Sequence, residues 1–211
     1  MFLFFLMFCT IEEGLDQLRA GNFIIVVDDK DRENEGDLLI ASEKVDSAKL
    51  NQMLFLARGI LCIPMEGKRL DELSISLLKT ETESSEKNKT AFCMPVDAKK
   101  DTTTGVSISD RITTIKALIN PDSKPIDFTQ PGHMFPLRAK EGGVLERPGH
   151  TEAAVDLCKL AGLYPGGVIA EIMKDDGEMA KLTDIEAFSK EKGLSIIKIG
   201  DLISYREKRD V

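Results

Sequence analysis

The sequence predicts a single-domain α/β protein of the α+β type, layered around a mixed sheet. Three observations carry this expectation. Short runs rich in β-branched residues alternate with amphipathic stretches through most of the 211 residues. Their spacing is too irregular for eight equal strand-helix units, which disfavours a barrel. No Pro/Gly/Ser-rich linker and no internal repeat divides the chain.

The elements follow in order. The opening MFLFFLMF is eight apolar residues, far short of the ~20 that span a bilayer. It lacks a basic leader and a small-residue cleavage signal, so residues 1–10 are expected as an apolar N-terminal extension and 11–211 as the one domain. Residues 11–20 place apolar side chains at 11, 15 and 18, one helix face, and Gly21-Asn22 stops them. Residues 23–27 (FIIVV) form a strand, and 38–41 the next. Residues 47–58 read as a helix and 59–64 (GILCIP) as a buried strand. Residues 80–90 are polar and predict an exposed connection, followed by a strand at 91–96. A helix at 109–119 opens on Ser109 as N-cap. Residues 151–161 form an amphipathic helix ended by Gly162, and 168–173 a strand. Thr183 caps a helix to 192, with Gly193 past its end. A strand at 194–199 and a helical turn at 201–206 close the domain.

Composition narrows the function. Hydrophobic residues make up 42% and charged ones 30%, ordinary for a soluble globular protein whose length needs no disulfide or structural metal. A net charge of −8 and an isoelectric point near 5.0 argue against a nucleic-acid partner. Any anionic substrate must then meet local cations. Cys9, Cys62, Cys93 and Cys158 lie far apart, without a C-x-x-C pair, so free thiols in a reducing cytoplasm are expected. Nucleotide cradles of the G-x-G-x-x-G and G-x-x-x-x-G-K-[ST] kinds are absent from the sequence.

Directly behind the 23–27 strand stands DDKDRENEGD, residues 28–37, with six acidic and two basic side chains. A solvated turn explains such a run; so does a cation site. Glu33, Glu35 and Asp37, two residues apart, point the same way in an extended segment and are hard oxygen donors suited to Mg²⁺. Arg32 sits among them to meet an anion. The chain's two histidines, His133 and His150, both follow Pro-Gly, a setting in which a loop presents an imidazole rigidly. One neutral imidazole added to the carboxylates still suits Mg²⁺ or Mn²⁺. His150 precedes a helix whose first amides form an anion site beside Arg147 and Thr151. Thr151 also reads as a plain N-cap and Arg147 as a surface charge. Thr102–Thr104 with Gly105 and Ser107 offer hydroxyls and amides for a sugar or phosphate, or form a polar turn. Glu171, inside the apolar run VIAEIM, is either an edge carboxylate facing water or a buried one with its pKa raised toward general-base values.

Taken jointly, DDKDRENEGDL, TTTGVSISDR, QPGHMFPLRAKEGGVLERPGHTEAAVDL and GVIAEIMKDDGEMAK resemble the 3,4-dihydroxy-2-butanone 4-phosphate synthases of riboflavin biosynthesis, from about residue 11 to residue 206. The resemblance implies an α/β sandwich that works as a cytoplasmic homodimer with its sites near the subunit interface. It implies conversion of D-ribulose 5-phosphate to formate and 3,4-dihydroxy-2-butanone 4-phosphate through a metal-stabilised enediolate. Mg²⁺ or Mn²⁺ and no organic cofactor are implied, with Glu33 and His150 as metal ligands. Arg32, Glu33, Asp37, Glu171 and the segment Arg147, Pro148, Gly149, His150 and Thr151 would hold substrate, with Thr104 from the threonine-rich loop. His133 and Glu171 would be required for turnover. Without the clustered cysteines of the GTP cyclohydrolase II domain that many relatives carry, the chain is expected to be monofunctional.

Overall fold

The computed structural model describes residues 8–79 and 87–209. The chain runs α1 (Ile11–Arg19), β1 (Ile24–Val27), β2 (Gly36–Ala41), α2 (Ser47–Ala57), β3 (Cys62–Glu66), α3 (Gly67–Glu72), β4 (Val96–Ala98) and α4 (Ile108–Ile119). It continues β5 (Phe128–Ala139), α5 (His150–Leu160), β6 (Gly167–Glu171), α6 (Leu182–Lys192), β7 (Ser195–Lys198) and α7 (Ile199–Glu207). One seven-stranded sheet has the order β4-β5-β3-β6-β2-β1-β7. It is mixed, as expected: β1 pairs antiparallel with β2 and parallel with β7.

Period-two burial explains the layers. Ile25, Val27, Leu38 and Ile40 point into one apolar cluster, which α2, α4 and α6 cover through Leu50, Ile115 and Ile185. Their neighbours Ile24, Val26 and Leu39 point into the other, covered by Leu15 of α1, Leu157 of α5 and Leu202 of α7. Both faces of the sheet's central strands are therefore dry, and β1 is buried along its whole length. Thr10 and Glu13 form a reciprocal cap at the start of α1, with the Glu13 amide donating to Thr10 Oγ1 at 3.2 Å. No helix among the described residues is long and apolar enough to cross a membrane.

Several boundaries differ from expectation for identifiable reasons. The cap of α4 is Ser107, whose Oγ accepts the Asp110 amide at 3.1 Å, and Ser109 lies inside the helix. Thr183 is likewise inside α6, and the Asp184 carboxylate ties back the Lys181 amide at 3.0 Å. The first Pro-Gly-His, read as a loop, lies within β5, where Gln130-Pro131 is a cis peptide. Only the short edge strand β4 covers that half of β5, so its residues are largely exposed and show no apolar alternation. The expected strand at 91–96 begins at Val96, with isolated bridges from Phe92 and Cys93 before it. The MFLFFLMF segment up to residue 7 and residues 80–86 of the expected polar connection lie outside the described residues.

Candidate active site

The charged run after β1 folds around its first acid. The Asp28 carboxylate has a fully buried side chain and accepts the Glu35 amide through Oδ1 and the Glu33 amide through Oδ2, each at 3.0 Å. Arg32 adds a contact to Asp28 Oδ2 at 2.9 Å and another to Glu33 Oε2 at 2.8 Å. Asn34 takes a left-handed φ of 55° at the end of this turn, a conformation asparagine tolerates. Residues 30–33 thus form a turn and not the extended segment expected. Glu35 contacts Lys181 Nζ at 3.3 Å and Glu33 accepts from Asn88 at 2.6 Å, and both line one pocket with Asp37.

Glu33 there meets His150, with Oε2 and Nδ1 3.5 Å apart. The hydrogen bond from His150, with help from Arg32 and Asn88, outweighs burial and holds the Glu33 carboxyl down at about 2. His150 is the first residue of α5, not the residue before it, and Gly149 is the cap. A Cβ on Gly149 would collide with the Arg147 guanidinium. His150 is only 7% exposed. Burial alone would lower its pKa, but the charges of Asp37, Glu33 and Asp28 lift it to about 9. Its Nε2 is buried without a hydrogen-bond partner. Ligand atoms of Asp28, Glu33 and His150 all lie within 4.8 Å of one another. A buried imidazole and two hard carboxylates with ligand atoms this close together fit a divalent cation.

Two further carboxyls complete the wall. Asp37 and Glu171 face each other as register partners of β2 and β6. Burial pushes the Asp37 carboxyl up to about 7, against the pull of His150. Glu171 Oε2 accepts the Ile60 amide at 2.7 Å, which fixes its direction. The two carboxyls share a pocket of about 210 Å³ with Arg32, Glu33, Arg147, His150 and Thr151. Cys62 also lines it, but burial and the nearby Glu171 and Asp37 charges push its thiol far above the ordinary range, so it is no nucleophile. A larger groove of about 350 Å³ along α2 and α6 holds none of the candidate residues.

Not every expected residue joins. The Arg147 fork, expected free for phosphate, donates to Glu152 at 2.6 Å, to Thr90 at 2.9 Å and to the Asn88 carbonyl at 3.1 Å. Pro148 and Gly149 lead into α5 without lining the pocket. Thr104 is exposed, and His133 contacts Asp97; neither lines the pocket of its own chain. Sequence reasoning missed Asp28, Asn88 and Asp97. Asp28 carried a faint signal, as the acid immediately after the strand; Asn88 and Asp97 carried none.

Comparison with known proteins bears on this arrangement. The sequence model of 3,4-dihydroxy-2-butanone 4-phosphate synthase matches residues 12–205. The riboflavin biosynthesis protein RibBA of Aquifex aeolicus is 52% identical over 205 residues, covering 96% of this chain and 50% of that one. The chain thus spans about half the length of that relative. The 3,4-dihydroxy-2-butanone 4-phosphate synthase of Agrobacterium fabrum is 49% identical over 195 residues, 92% of this chain and 91% of its own. Among solved structures, a 3,4-dihydroxy-2-butanone 4-phosphate synthase in complex with two magnesium ions superposes with a TM-score of 0.89 at 37% identity, covering 96% and 99% of the two chains. A match over nearly the whole domain, in sequence and in fold, means that this chain belongs to the 3,4-dihydroxy-2-butanone 4-phosphate synthase family.

Proposed function

We propose that the chain is a lyase that converts D-ribulose 5-phosphate to 3,4-dihydroxy-2-butanone 4-phosphate and formate, a step of riboflavin biosynthesis. Family membership supports the reaction. The observation that carries it to these residues is the meeting of Glu33 and His150 at 3.5 Å, with His150 Nε2 buried and unpartnered. The two products together contain all the atoms of the substrate, so no oxidant, reductant or net water is required.

Glu33 and His150 would hold Mg²⁺ or Mn²⁺, with Asp28 in reach. A bound cation would supply positive charge to the oxygens of the sugar, which would favour loss of the proton beside the carbonyl. Without it, His150 carries the proton that metal binding must displace. Asp37, with its carboxyl at about 7, takes and returns a proton near neutral pH. Glu171, aimed by the Ile60 amide, stands opposite it as the second proton carrier. Arg32, Thr151 and the segment 147–151 with its first-turn amides bind the phosphate end. Pairing of Arg147 with Glu152 stiffens that segment.

His133 and Thr104 belong, in this reading, to the pocket of a second copy in a homodimer. His133 then gives a proton to the departing hydroxyl. The test is formate: one equivalent released per ribulose 5-phosphate consumed with Mg²⁺, and none after EDTA. Consumption of substrate without formate would instead identify an isomerase or aldolase using the same pocket.

A further inference from the structure

His133 lies where the ladder between β4 and β5 breaks. Val96 pairs with Met134, but the next residue, Asp97, pairs with Thr129. Residues 130–133 are therefore extruded between adjacent partners, an enlarged bulge of the kind that re-aims side chains. Glycine is needed inside it, because a Cβ on Gly132 would collide with the Val96 carbonyl and the Asp97 amide.

The bulge lays His133 on Asp97 twice. Its backbone N–H donates to Oδ1 at 2.9 Å, and Nδ1 stands 2.7 Å from Oδ2. An ionised carboxylate only accepts, so Nδ1 carries the ring proton. The Asp97 side chain is 12% exposed and that of His133 46%. Nε2 has no hydrogen-bond partner among the described residues. Gly105 backs the pair: a Cβ there would strike Asp97 Oδ2 and the imidazole. Gly105 is itself fixed, at a φ of 89°, by an amide donated to Asp110 at 2.9 Å. The same Asp110 oxygen accepts from Thr103 Oγ1 at 2.8 Å. This gives the threonine-rich loop a definite task, which is to back the carboxylate.

We propose that Asp97 is a positioning residue for His133: it selects the Nδ1–H form and the ring orientation, so that Nε2 faces substrate. The inference rests on the reading of His133 as required for turnover. Nε2 then takes, through solvent, the proton that Asp37 or Glu171 has removed from the substrate and delivers it to the departing hydroxyl, which leaves as water and returns the ring to neutral. The Asp97 carboxylate stabilises the imidazolium in between.

With only two histidines in the chain, ring ¹⁵N spectra of the full-length protein contain two spin systems, and His133→Ala assigns them. Asp97→Asn is nearly isosteric. The His133 amide still needs an acceptor, so the Asn oxygen takes the place of Oδ1 and its NH₂ donates to Nδ1. The ring proton is expected to move to Nε2. Formate release should fall about 100-fold in kcat, the low end for a positioned proton transfer. KM should stay within about threefold, and adding Asp97→Asn to His133→Ala should cost nothing more. The inference is overturned if the proton stays on Nδ1, or if the two losses multiply. Near-normal turnover in Asp97→Asn alongside an impaired His133→Ala overturns it as well. Full turnover in His133→Ala removes the reading of His133 itself, and this inference with it.

Discussion

Glu33 answers to His150, Arg32 and Asn88 at once, and its charge binds that set together. Gln at this position keeps the length and a carbonyl for the Asn88 amide but removes the negative charge that a cation needs. A charge-assisted contact contributes about 1.5–3 kcal/mol, which is about 10- to 100-fold in Kd. Glu33→Gln should therefore bind Mn²⁺ about 10- to 100-fold more weakly, read from the free-ion electron paramagnetic resonance signal. Unchanged Mn²⁺ affinity would remove Glu33 from the metal site. The acids of this run also mark how far residue-level reading reached. Their number and their place behind a buried strand pointed to a cation, and Glu33, Asp37 and His150 do line one pocket. Glu35, the third acid expected to point the same way, lines it as well. The choice of Asp28, rather than Asp29 or Asp31, as the buried acid that organises the run was not legible. That choice is made by the turn at residues 30–34, where the Asp28 carboxylate gathers backbone amides and Asn34 reverses its φ. For Glu171 the sequence left open whether it faces water or is buried; it is half-buried, and Asp37 is the more buried of the pair.

At the scale of elements, the site depends on how closely the end of α2 approaches β6. Helix α2 stops at Arg58, in the left-handed region at a φ of 72°, and the Gly59 amide donates to the Glu171 carbonyl at 3.0 Å. A Cβ on Gly59 would run into the carboxylate and the backbone of Glu171. Gly59→Ala should then cost about 1–3 kcal/mol in urea unfolding, the usual range for overpacking, and lower kcat by displacing Glu171. Gly200→Ala is the control: nothing lies within 4 Å of a Cβ there, and the residue sits in α7. It should add about 0.5–1 kcal/mol through helix propensity and leave turnover unchanged. Equal losses in the two variants would refute the steric account. The same elements explain what was legible in the fold. Strands buried on both faces, such as β1 and β2, announced themselves as continuous apolar runs. Strand β5 did not, because Pro-Gly-His in its exposed half carries the composition of a turn. Helix α3, only six residues long, has too few turns to show a period.

For the whole molecule, the sheet gathers one set of residues and separates another. The C-terminal end of β1, the start of β2 and the end of β6 bring Asp28, Glu33, Asp37 and Glu171 to His150 at one edge of the layers. His133 sits on β5 toward the outer strand β4, held by Asp97, and does not line that pocket. If both sets serve one reaction, the second must come from another copy, and symmetric dimers make such exchange reciprocal. Hybrid dimers test this directly. Co-expression of differently tagged His133→Ala and Glu33→Gln chains, followed by two affinity steps, isolates dimers with one of each. Each parent homodimer should release formate far more slowly than wild type. In the hybrid, the intact Glu33 pocket of the first chain meets His133 of the partner subunit, so one site of two is whole and activity returns to about half of wild type. If His133 served its own chain, each pocket of the hybrid would lack one of the two residues, and formate release would stay at the level of the parents. A hybrid as slow as its parents therefore defeats the shared-site dimer, while leaving the Glu33–His150 pocket within each chain as it stands.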